Sequence, residues 1–488
     1  MLFNSVEFLI FLPCVCALYF ALPYRWRWIL LLLASYYFYA AWKPEYLILI
    51  VASTAVDYAA GLIMGLTANR RVRIGALLAS IGCNFSLLFA FKYYNFFNTS
   101  VHQAAQWLGW EYTMPGLDVI LPVGISFYTF QTLSYTFEVF KGTHPPERHP
   151  GIFALYVAFF PQLVAGPIER SENLLPQFRC NHDFDHGRAI IGLRYILWGL
   201  FKKVVVADRL AMFVDPVYND VAGATSLMLL LATVGFAFQI YCDFSGYSDI
   251  AVGSARILGY QLMTNFDRPY FATSIGDFWR RWHISLSTWF RDYVYIPLGG
   301  SRVKISRMYL NLLIVFGASG LWHGADWTFV IWGLLHAAYY ISSHATRDIR
   351  ATVVRATGLD KAPRLHHVLQ ITLTFVLVNI GWVFFRANSV KDASYVLQQM
   401  PDLVYYVFSP AAVIRELSAL SENASQLAIT AGATVLMLVA EHFQSKGGPP
   451  RLLTLPVLSL RWAAYAVLAA AIMNFGVVQR IPFIYFQF

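Results

Sequence analysis

Charged residues are scarce in this 488-residue sequence. They make up 13% of the chain, whereas 58% of the residues are hydrophobic and 17% are aromatic. This balance excludes an ordinary soluble enzyme, and we predict a protein that lies in the lipid bilayer.

Paired cysteines and common nucleotide-binding motifs are also missing. The five cysteines show no CxxC spacing, and Cys14, Cys16 and Cys83 lie inside hydrophobic stretches, so we predict neither a disulfide framework nor a metal site. The segment CNHDFDH, residues 180–186, has metal-ligand residue types but no second ligand cluster to complete a zinc site. No P-loop, GxGxxG or HExxH motif occurs, and we expect no tightly bound cofactor.

Much of the sequence consists of long apolar stretches. A helix needs about 20 residues to cross a hydrocarbon core. More than ten stretches reach or approach that length, and some are short enough to be tilted or re-entrant. They cover residues 8–22, 29–42, 46–66, 74–91, 119–140, 190–207, 226–241, 308–322, 327–341, 368–385, 427–439 and 462–478. The fold class is therefore predicted to be an all-α polytopic membrane protein.

The net charge of +9 is spread over short loops, which argues against a nucleic-acid partner and for the positive-inside rule. Cations follow the first, third and fifth stretches and precede the last one: Arg25, Arg27, Arg70, Arg71, Arg73, Lys141, Arg148, Lys446, Arg451 and Arg461. The loops at residues 43–45 and 98–118 are poor in cations. We therefore predict that the N-terminus and the segment after the last stretch lie on the outer side.

That last segment, IPFIYFQF at residues 481–488, is here called the tail. Five extended residues from Arg480 to Tyr485 cover about 16 Å, and half a hydrocarbon core is about 15 Å. Because Pro482 favours an extended chain, a tail folded inward from the outer side could bring the Tyr485 hydroxyl to the bilayer centre. Alternatively, Phe483, Phe486 and Phe488 could simply lie in the interfacial aromatic belt.

The segment at residues 277–302, DFWRRWHISLSTWFRDYVYIPLGGSR, reads as an amphipathic helix in a membrane interface. Its apolar stripe is Phe278, Trp282, Leu286, Trp289 and Tyr293. Its polar stripe is Arg280, His283, Ser287 and Arg291. The arginines could bind an anionic group of a ligand or only lipid headgroups.

A second histidine, His323, closes an apolar stretch in GASGLWHGADW, residues 317–327. An ionisable side chain at such depth usually faces a cavity or a partner, and a neutral imidazole there could act as a base. It could also be a hydrogen-bonding contact between helices, as we expect for His336. The run QIYCDFSGYSDIAVG, residues 239–253, places Asp243 and Ser245 in another apolar segment as a polar lining or a kink.

Taken together, several of these segments resemble the membrane-bound O-acyltransferases, in the bacterial branch of alginate O-acetyltransferase membrane subunits and teichoic acid D-alanyl transfer proteins. The segments that carry the resemblance span nearly the whole chain in the family's order: ASYYFYAAW (34–42), LPVGISFYTFQTLSY (121–135), FFPQLVAGPIER (159–170), FKKVVVAD (201–208), YCDFSGYSDIAVG (241–253), FWRRWHISLSTWFRDYVYIPLGG (278–300) and GLWHG (320–324).

The resemblance implies a single domain over residues 1–488, a ring of tilted helices around a thinned centre with a tunnel through the membrane. It implies that His323 is the catalytic histidine and His283 a second functional position. It also implies that Tyr485 is the tyrosine of a functional tail, inserted into the tunnel from outside. We expect donor-binding or tunnel-lining roles for Arg280, Arg281, Trp282, Ser287, Trp322, Asp243 and Ser245.

The function implied is acyl transfer at the bacterial cytoplasmic membrane. A small acyl group, expected to be acetyl, would pass from acyl-CoA or an acyl carrier thioester to Tyr485. An extracytoplasmic partner enzyme of the SGNH-hydrolase type would then place it on a polysaccharide. Two alternatives remain open: a lipid or protein O-acyltransferase without a tail relay, and a polytopic transporter, against which the lack of an inverted repeat counts.

Overall fold

The computed structural model describes residues 1–164, 166–419, 424–444, 448–477 and 481–486. The cations Lys446 and Arg480, the tail residue Phe488 and the side chain of Phe486 lie outside this description. Every regular element within these ranges is helical, and they contain no strand, which confirms the predicted all-α class.

The chain divides into two compact units. Unit 1 comprises Met1–Ile196 and Ile250–Met263, and unit 2 comprises Leu197–Asp249 and Thr264–Phe488. The prediction of a single domain stays a prediction, and each unit is described by itself.

Unit 1 is built from the first helices of the chain. They are α1 (Val6–Ala21), α2 (Tyr24–Ala40), α3 (Leu47–Leu66), α4 (Arg70–Leu88), α5 (Tyr94–Leu108), α6 (Ile125–Lys141), α7 (Pro150–Ala158), α8 (Phe160–Leu163), α9 (Ser171–Leu174) and most of α10 (His186–Leu200). A π-helical turn, Phe89–Tyr93, joins α4 to α5, and 3-10 turns lie at Pro44–Tyr46 and Pro176–Arg179.

The interior of unit 1 explains one acidic residue in an apolar stretch. Asp57 on α3 is fully buried, and its carboxylate accepts hydrogen bonds from Ser80 and Asn84 on α4 at 2.5 and 2.9 Å. Ser53 donates to the Asn84 side chain at 2.8 Å. Since a buried polar group is costly only when it lacks partners, this cluster is a structural contact between helices.

Unit 2 holds the remaining helices. They are α11 (Asp208–Asn219), α12 (Ser226–Leu258, whose last residues belong to unit 1), α13 (Ile275–Trp279), α14 (Ile284–Phe290), α15 (Ile305–His323), α16 (Trp327–Ala345), α17 (Arg347–Ala356), α18 (Pro363–Arg386), α19 (Val390–Gln399), α20 (Leu403–Phe408), α21 (Pro410–Ala419), α22 (Ala424–His442) and α23 (Leu458–Phe475). π-Helical turns lie at Phe201–Ala207 and Arg291–Tyr295. Short 3-10 turns lie at Pro269–Phe271, Leu359–Lys361, Met400–Asp402, Arg451–Thr454 and Ile484–Phe486.

Each predicted apolar stretch overlaps at least one α-helix. By length and hydropathy, six helical segments of the described chain could cross a membrane: Pro44–Leu66, Arg70–Leu108, Ser226–Leu258, Ile305–His323, Pro363–Arg386 and Leu458–Phe475. The apolar helix Val6–Ala21 is shorter. The protein is therefore a multi-pass membrane protein, in which the apolar helix Val6–Ala21 is too short to cross the bilayer upright.

Candidate active site

His323 is the last residue of α15, and the close contact between α15 and α16 fixes its position. A Cβ atom on Gly320 would lie 2.3 Å from the Phe329 carbonyl oxygen, and one on Gly333 would lie 2.2 Å from the Phe316 carbonyl oxygen. Only residues without a side chain allow such an approach. The Asp326 side chain accepts a hydrogen bond from the Thr328 amide and begins α16, so the chain reverses directly after His323.

His283 lies at a break between α13 and α14, with a left-handed backbone (φ 42°). Asn265 maintains the break, because its carbonyl oxygen accepts from the Ile284 amide at 2.9 Å and its Oδ1 accepts from Ser285 Oγ at 2.9 Å. Left-handed backbone is strained for a non-glycine residue and is often found at functional sites. The side chain is fully buried.

The prediction of one amphipathic helix through this segment is wrong at His283. The left-handed residue rotates α14 relative to α13, so His283 no longer shares an exposed face with Arg280. The Arg280 side chain is 75% exposed, 3.7 Å from Asp277, whereas the His283 ring lies in the interior. Trp282 and Leu286 of the predicted apolar stripe are buried.

The described part of the tail packs against α12. The Phe483 ring, fully buried, lies 4.5 Å from the Tyr247 ring and 5.6 Å from the Phe244 ring, measured between centroids. The Ile484 amide donates a hydrogen bond to Asp243 Oδ2 at 2.7 Å. The tail therefore does not extend along a lipid-facing surface at these residues, which disfavours the interfacial-belt alternative for Phe483.

Three residues chosen from the sequence meet in this region of unit 2. The ring centroids of His323 and Tyr485 are 5.6 Å apart, and those of His283 and His323 are 6.3 Å apart. The Phe244 ring packs against both His283 and Tyr485, with its centroid 4.7 Å from each of their ring centroids. We call His283, His323 and Tyr485 the imidazole–phenol cluster.

Aromatic side chains enclose the cluster. Trp332 and Phe385 pack against His323 at 4.9 and 5.4 Å, and Trp322 packs against both histidines. Trp322, Trp332 and Phe385 are all buried. Such walls exclude water from the two histidine rings, which strengthens the hydrogen bonds and charge interactions that these rings form.

Burial has opposite effects on the two groups of the cluster that lie outside the membrane-spanning helices. It lowers the pKa of His283 to about 3, so this imidazole is neutral at neutral pH. It raises the pKa of Tyr485, and the nearby Asp243 carboxylate raises it further. The phenol is therefore protonated at neutral pH and needs a base before it can act as a nucleophile.

A small apolar cavity of about 100 Å³ adjoins α14, which follows His283, and α15, which ends at His323. Its walls come from α13, α14 and α15: Trp279, Leu286, Ser287, Phe290, Val315, Phe316 and Ser319. Ser287 lies one turn after His283, and Ser319 lies one turn before His323.

The other predicted donor-binding residues do not gather at the cluster. Arg281 donates to Asp277 at 3.0 Å, and Trp282 is buried against Trp382 with ring centroids 5.0 Å apart. Ser287 Oγ donates to the Trp282 carbonyl oxygen at 3.2 Å. Ser245 accepts from Lys202 Nζ at 2.9 Å.

Sequence reasoning missed several residues of the site. Phe244 and Tyr247 lie beside Asp243 in the segment predicted to be a polar lining or a kink, although their spacing of three places both on one helix face. Lys203 forms ion pairs with Asp243 at 2.6 Å and Asp208 at 2.8 Å. No sequence feature marked Phe385 as a site residue, because it ends an apolar stretch like the others.

A buried imidazole next to a protonated phenol, inside a polytopic helical protein, is suited to acyl transfer: one group takes a proton and the other attacks a carbonyl carbon. Comparison with known families agrees. The model of the membrane-bound O-acyltransferase family matches residues 85–359. The chain belongs to this family, and the protein is an O-acyltransferase of the membrane.

Similar proteins place it within the predicted branch. The chain is 34% identical to a protein named probable alginate O-acetylase from Azotobacter vinelandii, over the full length of both chains. It is 37% identical to a peptidoglycan O-acetyltransferase from Helicobacter pylori, over 83% of this chain and 80% of that protein. A teichoic acid D-alanyltransferase from Streptococcus thermophilus is 27% identical over 56% of this chain and 71% of its own length.

Proposed function

We propose that the protein moves a small acyl group, acetyl, from a cytoplasmic thioester to Tyr485, and that an extracytoplasmic partner enzyme then transfers it to a polysaccharide. The proposal depends on one observation: the Tyr485 and His323 rings are 5.6 Å apart in a cluster enclosed by aromatic side chains. The names of the relatives from Azotobacter and Helicobacter point to acetyl as the group and to saccharide polymers as final acceptors.

In the loading step, His323 takes the proton from the Tyr485 hydroxyl as the phenolic oxygen attacks the thioester carbonyl carbon. The carbon–oxygen bond forms, the carbon–sulfur bond breaks, and the leaving thiolate takes the proton back from the His323 imidazolium. General-base help of this kind contributes about 10²- to 10⁴-fold in rate. The product is an acyl-tyrosine ester, activated enough to pass its group to a hydroxyl nucleophile.

His283 acts on the same intermediate from the other side. Because its ring stays neutral, one nitrogen carries a hydrogen that can be donated to the developing oxyanion. A preorganised donor in a site that excludes water is worth about 10²- to 10³-fold in rate. The left-handed backbone at His283 serves this role by turning the ring inward.

The apolar cavity beside α14 and α15 gives the thioester a place to approach. Its wall includes Ser287, predicted from sequence as a donor contact, and Ser319, one turn from His323. An acetyl thioester suits an apolar wall with two hydroxyl groups. Coenzyme A and an acyl carrier protein present the same thioester, so the site chemistry is the same for both.

The proposal is tested with purified protein in lipid nanodiscs and labelled acetyl-CoA. We expect label on Tyr485 of the wild type, detected by mass spectrometry of the tail peptide. Tyr485→Phe should carry no label and should abolish acetylation of the polysaccharide in cells. His323→Ala should lower the loading rate by about 10²- to 10⁴-fold.

His344→Asn is the control, because this exposed histidine on α16 contacts Tyr309, whereas the buried His336 contacts Trp279 of the cavity wall. This control variant should load at close to the wild-type rate. Normal polysaccharide acetylation by Tyr485→Phe would refute the relay, and label on lipid instead of the tail would show direct acylation of a lipid. If acetyl-CoA gives no label, the same assay with an acetylated carrier protein decides: its failure as well would refute loading of the tail.

A further inference from the structure

The segment that leads into the tail is fastened to the π-helical turn Phe201–Ala207. The Val477 amide donates to the Val204 carbonyl oxygen at 3.0 Å. Arg209, at the start of α11, donates to the Phe475 carbonyl oxygen at the end of α23. π-Helical turns change the local backbone pairing and are frequent at functional sites. The turn Phe201–Ala207 and the start of α11 thus contact the end of α23, shortly before the tail.

A buried charge cluster holds the tail at a second point. Lys203, on the same π-helical turn, lies 2.6 Å from Asp243 Oδ1 and 2.8 Å from Asp208 Oδ1. The three side chains are at most 5% exposed. The other oxygen of Asp243 accepts the Ile484 amide at 2.7 Å.

The charge balance of the cluster favours the tail as its partner. Two carboxylates face one ammonium group, and buried anionic charge is costly unless hydrogen-bond donors meet it. The Ile484 amide supplies such a donor, and hydrogen bonds to a carboxylate are stronger than those between neutral groups. With the tail withdrawn, Asp243 Oδ2 would lose this donor.

We infer that Lys203, Asp208 and Asp243 form a docking site for the backbone of the tail, and that Asp243 is a positioning residue that sets the depth of Tyr485 beside His323. The inference rests on the proposed role of Tyr485 as acyl acceptor. Since the site binds an amide and not a side chain, it fixes the tail along its axis, and Phe244 and Tyr247 fix it sideways through the Phe483 ring.

The chain offers a matched control for this docking site. Lys202, the neighbouring residue of the same turn, pairs with Asp249 on the same helix as Asp243 at 2.7 Å. Its further described partners are Ser245 Oγ and the ring of Tyr241. Both are Lys–Asp pairs that join this turn to α12, but the bond to the tail is described for Asp243.

The test measures exposure of the tail without acyl transfer. The five native cysteines are replaced by alanine, Tyr485→Cys is introduced, and intact cells are treated with a membrane-impermeant maleimide. The triple variant Lys203→Met, Asp208→Asn and Asp243→Leu removes the docking site without leaving a buried charge unpaired. We expect its introduced tail thiol to be labelled at least 10-fold faster than that of the parent, and Lys202→Met with Asp249→Leu to be labelled at the parent rate.

A second pair of variants leaves every charge in place. Ile484→Pro removes the amide donor at the first residue of a 3-10 turn, where proline fits the backbone, and Ile484→Val keeps the donor. Ile484→Pro should also increase labelling of the introduced tail thiol, whereas Ile484→Val should not. In chains that retain Tyr485, Ile484→Pro should slow acetyl loading about 100-fold, since small displacements from a reactive geometry have effects of that size.

Equal labelling of the parent and both docking variants, with all of them eluting as folded protein, would overturn the inference. An equal increase in labelling of the Lys202→Met, Asp249→Leu control would also overturn the inference, because the loss of any buried charge pair would then expose the tail. The two proposals fail separately. Faster labelling of the docking variants, together with normal polysaccharide acetylation by Tyr485→Phe, would support the docking site and refute the relay. Unchanged labelling of these variants, together with a reaction that depends on Tyr485, would refute the docking site and support the relay.

Discussion

His283 combines complete burial with a left-handed backbone, and both properties have measurable consequences. The backbone depends on Asn265, well before it in the chain, which bonds to residues 284 and 285. A sequence pattern with a helical period cannot reveal such a distant partner. The continuous helix predicted at residues 277–302 was therefore wrong at the residue of greatest interest.

The acid sensitivity of the protein should depend on His283. An unfolded histidine titrates near pH 6.5, whereas burial lowers the folded pKa of His283 to about 3. Between these values the unfolded chain binds a proton that the folded chain does not. Stability is thus fully present above pH 6.5 and is lost as the pH falls toward 3. His283→Asn should reduce the loss between pH 7 and pH 5 by roughly 2 kcal/mol.

Thermal unfolding in detergent micelles at the two pH values measures this difference. His367→Asn, on the exposed surface of α18, is the control and should follow the wild type. Parallel curves for His283→Asn and the wild type would show that the ring is not buried in its neutral form.

At the scale of elements, the α15–α16 pair determines where His323 lies. Gly320 and Gly317 are three residues apart on α15, and their surroundings differ sharply. A Cβ atom at Gly320 would meet a carbonyl oxygen at 2.3 Å, whereas one at Gly317 would meet the end of Leu334 at 3.5 Å, an ordinary contact.

Adding one methyl group should therefore have different effects at Gly320 and Gly317. Gly320→Ala forces α15 away from α16 and should cost roughly 1 to 3 kcal/mol of stability, with slower acetyl loading because His323 moves. Gly317→Ala should be neutral or slightly stabilising, since alanine favours helix. Melting temperatures and loading rates of both variants decide it. Equal effects would mean that the two helices can separate without harm to the site.

The sequence allowed good prediction of which segments are helical, because each apolar stretch has the length and composition of a buried helix. Contacts between residues far apart in the sequence could not be predicted, such as Lys203 with Asp243 and the Ile484 amide with Asp243. Arg280 and Arg281 pair with Asp277, and their donor-binding or tunnel-lining role stays a prediction.

At the scale of the whole molecule, the relay requires a fixed orientation in the membrane. The cation distribution predicts that the loop after α5 faces outward and that the turn between α3 and α4 faces the cytoplasm. Glu111 and Ala68 are exposed residues of these two segments.

Single cysteines at these sites test the orientation in the cysteine-free background. Glu111→Cys should react with an impermeant maleimide on intact cells, and Ala68→Cys should react only after the membrane is permeabilised. The opposite pattern would place the tail on the cytoplasmic side, where an external partner could not reach it.

The tyrosine and the imidazole of the cluster belong to one polypeptide, and this limits how many acyl groups the molecule can hold. Under the relay, each copy stores a single equivalent, so a pre-steady-state experiment would show a burst equal to the number of protein molecules. Donor consumption on one face would then pause until the other face unloads the ester. Export of acyl groups would thus match demand by stoichiometry alone, and cytoplasmic thioester would not be drained when no acceptor waits outside.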